Sequence, residues 1–246
     1  MEAMVAERSE TVTCEVPNFE GEFSYSVKYD DSCYKAYMEA FVPNTKSRLF
    51  YRFVKRTFDI LLSALLLVLF SPAFLIIAIA IKCDSKGPVI FRGKRMGKNG
   101  KVFVCYKFRT MSVDAPKDCA TSLLDNPTQY QTKLGRQLRR FSLDELPQLW
   151  CVLIGKMSFI GYRPLVLTEE KCNEMRRQLN VFSARPGISG YAQVRGRDNV
   201  YYKNKAIMDA IYVRDASISW DWKLLMQTVA VVVKREGNAA ENTNIF

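Results

Sequence analysis

Asp144 and Glu145 stand side by side in the stretch Arg139-Arg140-Phe141-Ser142-Leu143-Asp144-Glu145-Leu146-Pro147. Proline fits best in the first turn of a helix, so Pro147 predicts a helix start here. The helix dipole favours the ionised forms of carboxylates at such a start. An anionic pair can supply a nucleophile or ligands for a hard cation such as magnesium. The same letters also spell something plainer, because Ser142 with Glu145 three residues on is a capping-box pattern. Residue types alone leave both readings open.

Cations recur on either side of the pair. Lys107 and Arg109 lie in Tyr106-Lys107-Phe108-Arg109-Thr110-Met111, and Arg139 lies just upstream of the acids. Arg163 follows in Gly161-Tyr162-Arg163-Pro164. Arg185, Arg195 and Arg197 flank Pro186-Gly187-Ile188-Ser189-Gly190-Tyr191. A guanidinium binds phosphate through two parallel hydrogen bonds, and glycines such as Gly187 and Gly190 let backbone N–H groups approach an anion. Any one of these arginines reads as a solvated surface residue; together they imply a phosphate-rich ligand. The glycine loop lacks the Gly-Lys-Ser/Thr ending of a nucleoside-triphosphate loop.

The chain has 246 residues and no histidine. Ser-His and Cys-His mechanisms and Cys/His zinc sites are thereby excluded, and any chemistry falls to carboxylates and cations. Seven cysteines are scattered with no Cys-x-x-Cys pair, which reads as free thiols in a reducing compartment. The formal net charge of +11 is uneven. Residues 1–45 carry nine acids and three bases, and the remainder carries thirty-three bases and sixteen acids. A basic body suits polyanions: nucleic acid, anionic lipid or phosphorylated substrates. Nucleic acid is the poorest fit, because aromatic and basic residues are not interleaved as in a stacking platform.

Several elements must position these groups. Phe58–Ile81 is apolar almost throughout, interrupted by Asp59, Ser63 and Ser71-Pro72, and is long enough to enter a bilayer. Pro72 removes a helix hydrogen bond and bends the segment, and Ser71 can satisfy a carbonyl freed at the bend. Both flanks are basic, which favours a hairpin entering and leaving the same face; a kinked transmembrane helix is the alternative. Asp59 expects Lys55 and Arg56 as partners. Residues 1–24 lack the basic-then-apolar order of a secretory signal, and residues 1–45 read as a loosely ordered extension. Pro88–Phe91 and Lys101–Phe108 read as strands around a turn over Arg92–Gly100. Helices are expected over Lys133–Arg140, Leu146–Ile154 and Thr168–Val181, with a loop over Ala184–Gly196. A final amphipathic segment spans Ala206–Arg235, and its tryptophans suit either a membrane interface or a core.

In order and spacing these motifs resemble the bacterial sugar transferases, the monotopic phosphoglycosyl transferases that start glycan assembly on polyprenol phosphate. The resemblance runs from about Tyr51 to Gly237. It includes Lys55-Arg56-Thr57-Phe58-Asp59, Ser71-Pro72, Arg95, Gly97, Gly100, Tyr106 to Met111, Ser142 to Leu149, Gly161 to Pro164 and Arg185 to Gly190. Tyr162 stands where the family usually has proline, Lys156 replaces a common aspartate, and Cys151 and Arg195 replace asparagines; none touches the acid pair.

The resemblance implies an α/β mixed, helix-dominated fold. A re-entrant membrane helix broken at Ser71 and Pro72 would join a cytosolic globular domain with a small sheet and amphipathic surface helices. The implied divisions are an extension over 1–45, a basic flank and membrane helix over 46–86, a catalytic domain over 87–237 and a tail over 238–246. It implies transfer of a sugar phosphate from a UDP-sugar to polyprenyl (undecaprenyl) phosphate, with release of UMP, at the cytosolic face of the bacterial inner membrane. Asp144 would be the covalent nucleophile. Glu145 would be a metal ligand or base, and Mg2+ would sit on both acids. Arg139, Arg163, Lys107, Arg109, Arg197, Gly187 and Gly190 would bind phosphate or substrate. Downstream glycosyltransferases or a second copy of the chain are open as partners. A basic membrane-anchored adaptor is the competing reading, and it leaves the placement of the acid pair unexplained.

Overall fold

The structure is a computed structural model that describes residues 29–44, 48–116, 127–196 and 200–234. In chain order its helices and strands are α1 (Asp31–Ala40), α2 (Leu49–Leu69), α3 (Ser71–Asp84), β1 (Ile90–Met96), β2 (Val102–Phe108), α4 (Lys133–Arg140), α5 (Gln148–Leu153), β3 (Ser158–Ile160), α6 (Glu170–Gln178), β4 (Gly187–Ser189), α7 (Tyr191–Gly196), α8 (Tyr202–Asp215) and α9 (Ile218–Lys234). The fold is helix-dominated, with an antiparallel hairpin β1-β2 and a short parallel pair β3-β4.

The expectation of a loosely ordered 1–45 fails where it can be compared. Asp30 caps α1 by accepting a hydrogen bond from Cys33 N at 2.7 Å. Tyr34, Tyr37 and Phe41 are buried against α6 and α8 in one hydrophobic cluster. The polar-looking sequence hid this because aromatic residues carry the contact. Cys33 is disulfide-bonded, so the expectation of free thiols holds only for Cys83, Cys105, Cys151 and Cys172 among the described residues.

Helix α2 is inside out. Its apolar side chains Leu61, Leu65, Val68 and Leu69 are exposed, and its buried residues are Asp59 and Ser63. It ends at Phe70, and α3 follows at a 60° bend. Pro72 lies at the start of α3, where its missing N–H interrupts nothing. Ser71 Oγ donates to Val68 O at 2.7 Å. Among the described residues no single helix is long and apolar enough to cross a membrane; α2 and α3 reach that measure only as a bent pair.

Charged groups fasten this pair to the rest of the chain. Arg56 donates to Val152 O at 2.6 Å and Leu153 O at 2.7 Å, closing the last turn of α5. Asp59 does not pair with its helical neighbours as expected. It is 2% exposed and accepts from Ser158 Oγ and Phe159 N of β3, both at 3.1 Å. Lys55 instead reaches Asp221 on α9 at 2.7 Å, joined there by the hydroxyls of Tyr51 and Tyr212 at 2.8 and 2.6 Å.

The hairpin is longer than expected. Strand β1 runs on to Met96, which pairs with Val102, and Ile90 pairs with Phe108. The turn is confined to the residues between, with Asn99 and Gly100 in the left-handed region at φ 56 and 69. The expected Ala184–Gly196 loop contains β4 and α7. The expected terminal segment divides into α8 and α9: α8 ends at an extended Ala216, and at the start of α9 the Ser217 hydroxyl accepts from Trp220 N at 3.3 Å.

Candidate active site

Helix α4 brings the acid pair to the end of β2. Thr132 caps it, its hydroxyl accepting from Gly135 N at 2.9 Å. Gly135 packs so tightly that a Cβ there would stand 2.1 Å from Thr110 O. On the last turn of α4, Arg139 Nε donates to Thr110 Oγ1 at 2.9 Å.

The chain then turns sharply. Ser142 takes φ 55, and Leu143–Glu145 form one 3-10 turn. The capping box does not form: the Ser142 side chain makes no cap bond, and its carbonyl accepts from Glu145 N instead. Pro147 is the N-cap of α5, so the acids sit one turn ahead of the helix rather than within its first turn. Freed from capping, both carboxylates turn toward cations.

Lys107 of β2 lies 2.6 Å from Glu145 Oε1, and Arg163 lies 3.4 Å from the same oxygen. Burial alone would push the Glu145 carboxyl up, but Lys107 and then Arg163 outweigh it and hold it at about 2. Asp144 is 7% exposed, and among the described residues it has no hydrogen-bond partner. Burial pushes its carboxyl above the usual range. Lys107 opposes that shift, the Glu145 charge adds to it, and Arg139 and Arg163 pull it back in part. Adjacent acids thus differ: Glu145 is neutralised by contact, and Asp144 is held in a field of three cations without being consumed by any of them.

The position of Arg163 is itself fixed. Its carbonyl accepts from Arg176 at 2.9 Å, and Arg176 forms a fully buried ion pair with Asp209 of α8. Sequence reasoning missed Thr110, Arg176 and Asp209; only Thr110 lay within a motif singled out beforehand.

Other expected ligands go elsewhere. Arg109 is buried, and its guanidinium donates to Lys86 O and Ser85 O, both at 2.7 Å, and to Ser85 Oγ at 2.8 Å. It closes the C-terminal end of α3 and is not available to a phosphate. Lys107 and Arg109 share a strand face by spacing, but the strand ends between them at Phe108. Gly187 and Gly190 answer to packing: a Cβ on Gly187 would stand 2.2 Å from Gly161 N, and one on Gly190 would stand 1.8 Å from Gly161 O. Arg197 lies outside the described residues.

Among the described residues, no group of three or more Cys, Asp or Glu gathers to hold a metal ion. Two adjacent carboxylates do suit magnesium, which commonly takes one or two carboxylates and completes its shell with water and substrate phosphate.

Residues 50–235 match the family model described as bacterial sugar transferase. An undecaprenyl-phosphate galactose phosphotransferase of Salmonella typhimurium is 34% identical over 246 residues, covering 94% of this chain and 50% of that protein. A UDP-glucose:undecaprenyl-phosphate glucose-1-phosphate transferase of Klebsiella pneumoniae is 42% identical over 185 residues, covering 71% of this chain and 39% of its own length. The exopolysaccharide production protein ExoY of Rhizobium meliloti is 34% identical over 198 residues, covering 75% of this chain and 87% of that protein. The chain spans about half the length of several curated relatives it matches.

Proposed function

Because this chain belongs to the bacterial sugar transferase family, we propose that it transfers a sugar 1-phosphate from a UDP-sugar to undecaprenyl phosphate. The observation that carries this reading is the convergence of Lys107, Arg139 and Arg163 on a carboxylate pair of which only one member is neutralised by contact. Such a site suits a dianionic diphosphate beside a nucleophile.

In the first half-reaction, an oxygen of Asp144 attacks the β-phosphorus. The bond from that phosphorus to the bridging oxygen breaks, and UMP leaves with the oxygen and its electron pair. The phospho-sugar is left as an acyl phosphate on Asp144. In the second, an oxygen of undecaprenyl phosphate attacks the same phosphorus, the acyl phosphate bond breaks, and the Asp144 carboxylate returns. Arg139 and Arg163 steady the charge on the transferring phosphoryl oxygens. Lys107 and Arg163 hold the Glu145 carboxyl well below the usual range, so it stays ionised at neutral pH; it would fix those two cations and remain anionic toward a metal ion. Asp144 and Glu145 would hold magnesium, which would offset the diphosphate charge and make UMP a better leaving group.

The bent apolar pair α2-α3 would enter the inner leaflet from the cytosolic side and leave by the same face. Exposed Trp222, Met226 and Val229 on α9 would lie along the interface. That arrangement keeps the acid pair within reach of a lipid headgroup.

The test is a UMP-release assay over a panel of UDP-sugars with undecaprenyl phosphate and magnesium. A phospho-sugar labelled on its sugar should be trapped on the protein when the lipid is withheld, and Asp144→Asn should trap none. Release of UMP without any trapped label would remove the covalent step. No release from any sugar would remove the reading.

A further inference from the structure

Among the described residues, three buried acids and amides form no side-chain hydrogen bond: Asp144, Gln148 and Gln193. The Gln193 amide is sealed from solvent, whereas the Asp144 carboxylate and the Gln148 amide are not. A polar group that is buried, unpaired and still open at its tip is unusual. Two of them stand four residues apart, in one site.

Leu146 and Pro147 both take right-handed helical dihedrals, so the 3-10 turn that bears the acids runs on into α5. Gln148 therefore stacks one turn beyond Asp144 and Glu145 on the same face. Helical side chains lean back toward the N-terminus, which carries this amide toward the acids. The facing strand agrees. One turn further on, Cys151 Sγ approaches Val104 O of β2 at 3.7 Å. One turn back, Glu145 meets Lys107, three residues along that strand. Gln148 lies between these two contacts, 3% exposed, with its amide beside the Lys107–Glu145 pair.

Three cations already surround Asp144. A fourth would close on the carboxylate and blunt it as a nucleophile, whereas an amide donates without adding charge. When Asp144 attacks, the non-bridging oxygens of the phosphoryl group come to lie over the acid turn, and they can only accept. The open Nε2 has donors to give them, and the open Oε1 can be met by water. We propose that Gln148 is a further catalytic residue, whose Nε2 donates a hydrogen bond to a non-bridging oxygen of the phosphoryl group as that group moves on to and off Asp144. No proton is transferred: the bond to Asp144 forms as the bond to the bridging oxygen breaks, and UMP leaves with the electron pair. This rests on the UDP-sugar reading above.

The experiment uses the full chain in lipid vesicles, with the UDP-sugar that is active in the panel. Gln148→Met keeps the length and loses the donor. The burst of UMP without lipid acceptor, and the discharge of trapped phospho-sugar to undecaprenyl phosphate, should both slow roughly a hundred- to a thousandfold, the effect of removing one oxyanion donor. The KM for the UDP-sugar should change less than about threefold, because the contact strengthens only in the transition state. A second readout is one that a merely structural amide would not move. In the two β-phosphorothioate diastereomers of the UDP-sugar, sulfur replaces one non-bridging oxygen and accepts hydrogen bonds poorly. One diastereomer should slow the native protein and lose most of that effect in the variant, each rate taken against the same protein's rate with the oxygen substrate. If Gln148→Met does not fold, Gln148→Glu, equal in shape and without a donor at neutral pH, takes its place. A native burst rate in the folded variant, or the same sulfur effect in variant and native protein for both diastereomers, overturns the proposal. Slowing confined to the discharge also overturns it, by moving the amide to the lipid acceptor. If the native protein gives a burst that the variant matches, only this inference falls; if the native protein gives none, the parent reading falls first.

Discussion

Two clusters of buried charge in this molecule are built on opposite terms. Around Asp221, every group is answered: Lys55, Tyr51 and Tyr212 converge on one carboxylate between α2, α8 and α9. Around Asp144, three cations stand near but none closes on it. The first cluster is complete and serves cohesion. The second keeps a charge without a contact partner, which on the proposed reading is met by the incoming phosphate. Structural ion-pair networks also perturb buried charges; incompleteness is what sets the Asp144 cluster apart from the one at Asp221.

The contrast predicts how each cluster fails. Asp144→Asn should lower UMP release by more than about 10^3-fold with the fold intact, read by turnover together with circular dichroism. Wild-type turnover would make the uncommitted acid a bystander. Asp209→Ala should do the reverse. It strands Arg176 in the core, a change worth about 3–5 kcal/mol, and denaturant unfolding should show the loss. If stability is unaffected, the satisfied ion pair does not hold the Arg163 loop. Lys107→Met should lower kcat/KM for the UDP-sugar by roughly ten- to a hundredfold. It should also move the acid limb of the pH profile upward, since Lys107 is the chief group holding Glu145 at about 2; an unmoved limb would show that Arg163 suffices.

The smallest effect lies in stability against pH. The folded-state value of Asp144 is raised, so its favourable contribution is present below the ordinary value of 3.8 and lost as pH rises through the folded value. Asp144→Asn should therefore melt about 2–4 °C higher than the native protein at neutral pH, with the difference gone below pH 3.8. Glu145 behaves oppositely: its contribution is present above 4.5 and fades as pH falls toward about 2.

Much of this was legible in the letters. The basic helix over Lys133–Arg140 has the bounds its composition predicts, and of the cations named from motifs Lys107 and Arg163 do meet Glu145. What escaped was set by distant neighbours. Arg109 looked like Lys107, but carbonyls at the end of α3 claim it. Asp59 suggested its own helical neighbours, yet β3 supplies its partners. Gly187 and Gly190 looked like a phosphate cradle, but Gly161 presses on both. The packing of α1 rests on tyrosines that show no helical period beforehand. In each case the deciding group lies far along the chain, where local pattern has no reach.

Helix α2 carries a consequence for handling the protein. Its oily side faces outward and its charged side faces inward, the arrangement that the proposed seat in a lipid leaflet requires. Detergent can replace the outer solvent without touching Asp59 or Lys55, because those groups are answered by protein. Plain water cannot, since it leaves Leu61, Leu65 and Val68 with nothing to lie against except another copy of themselves. Purification without an amphiphile should thus yield aggregates of correctly joined molecules rather than unfolded ones.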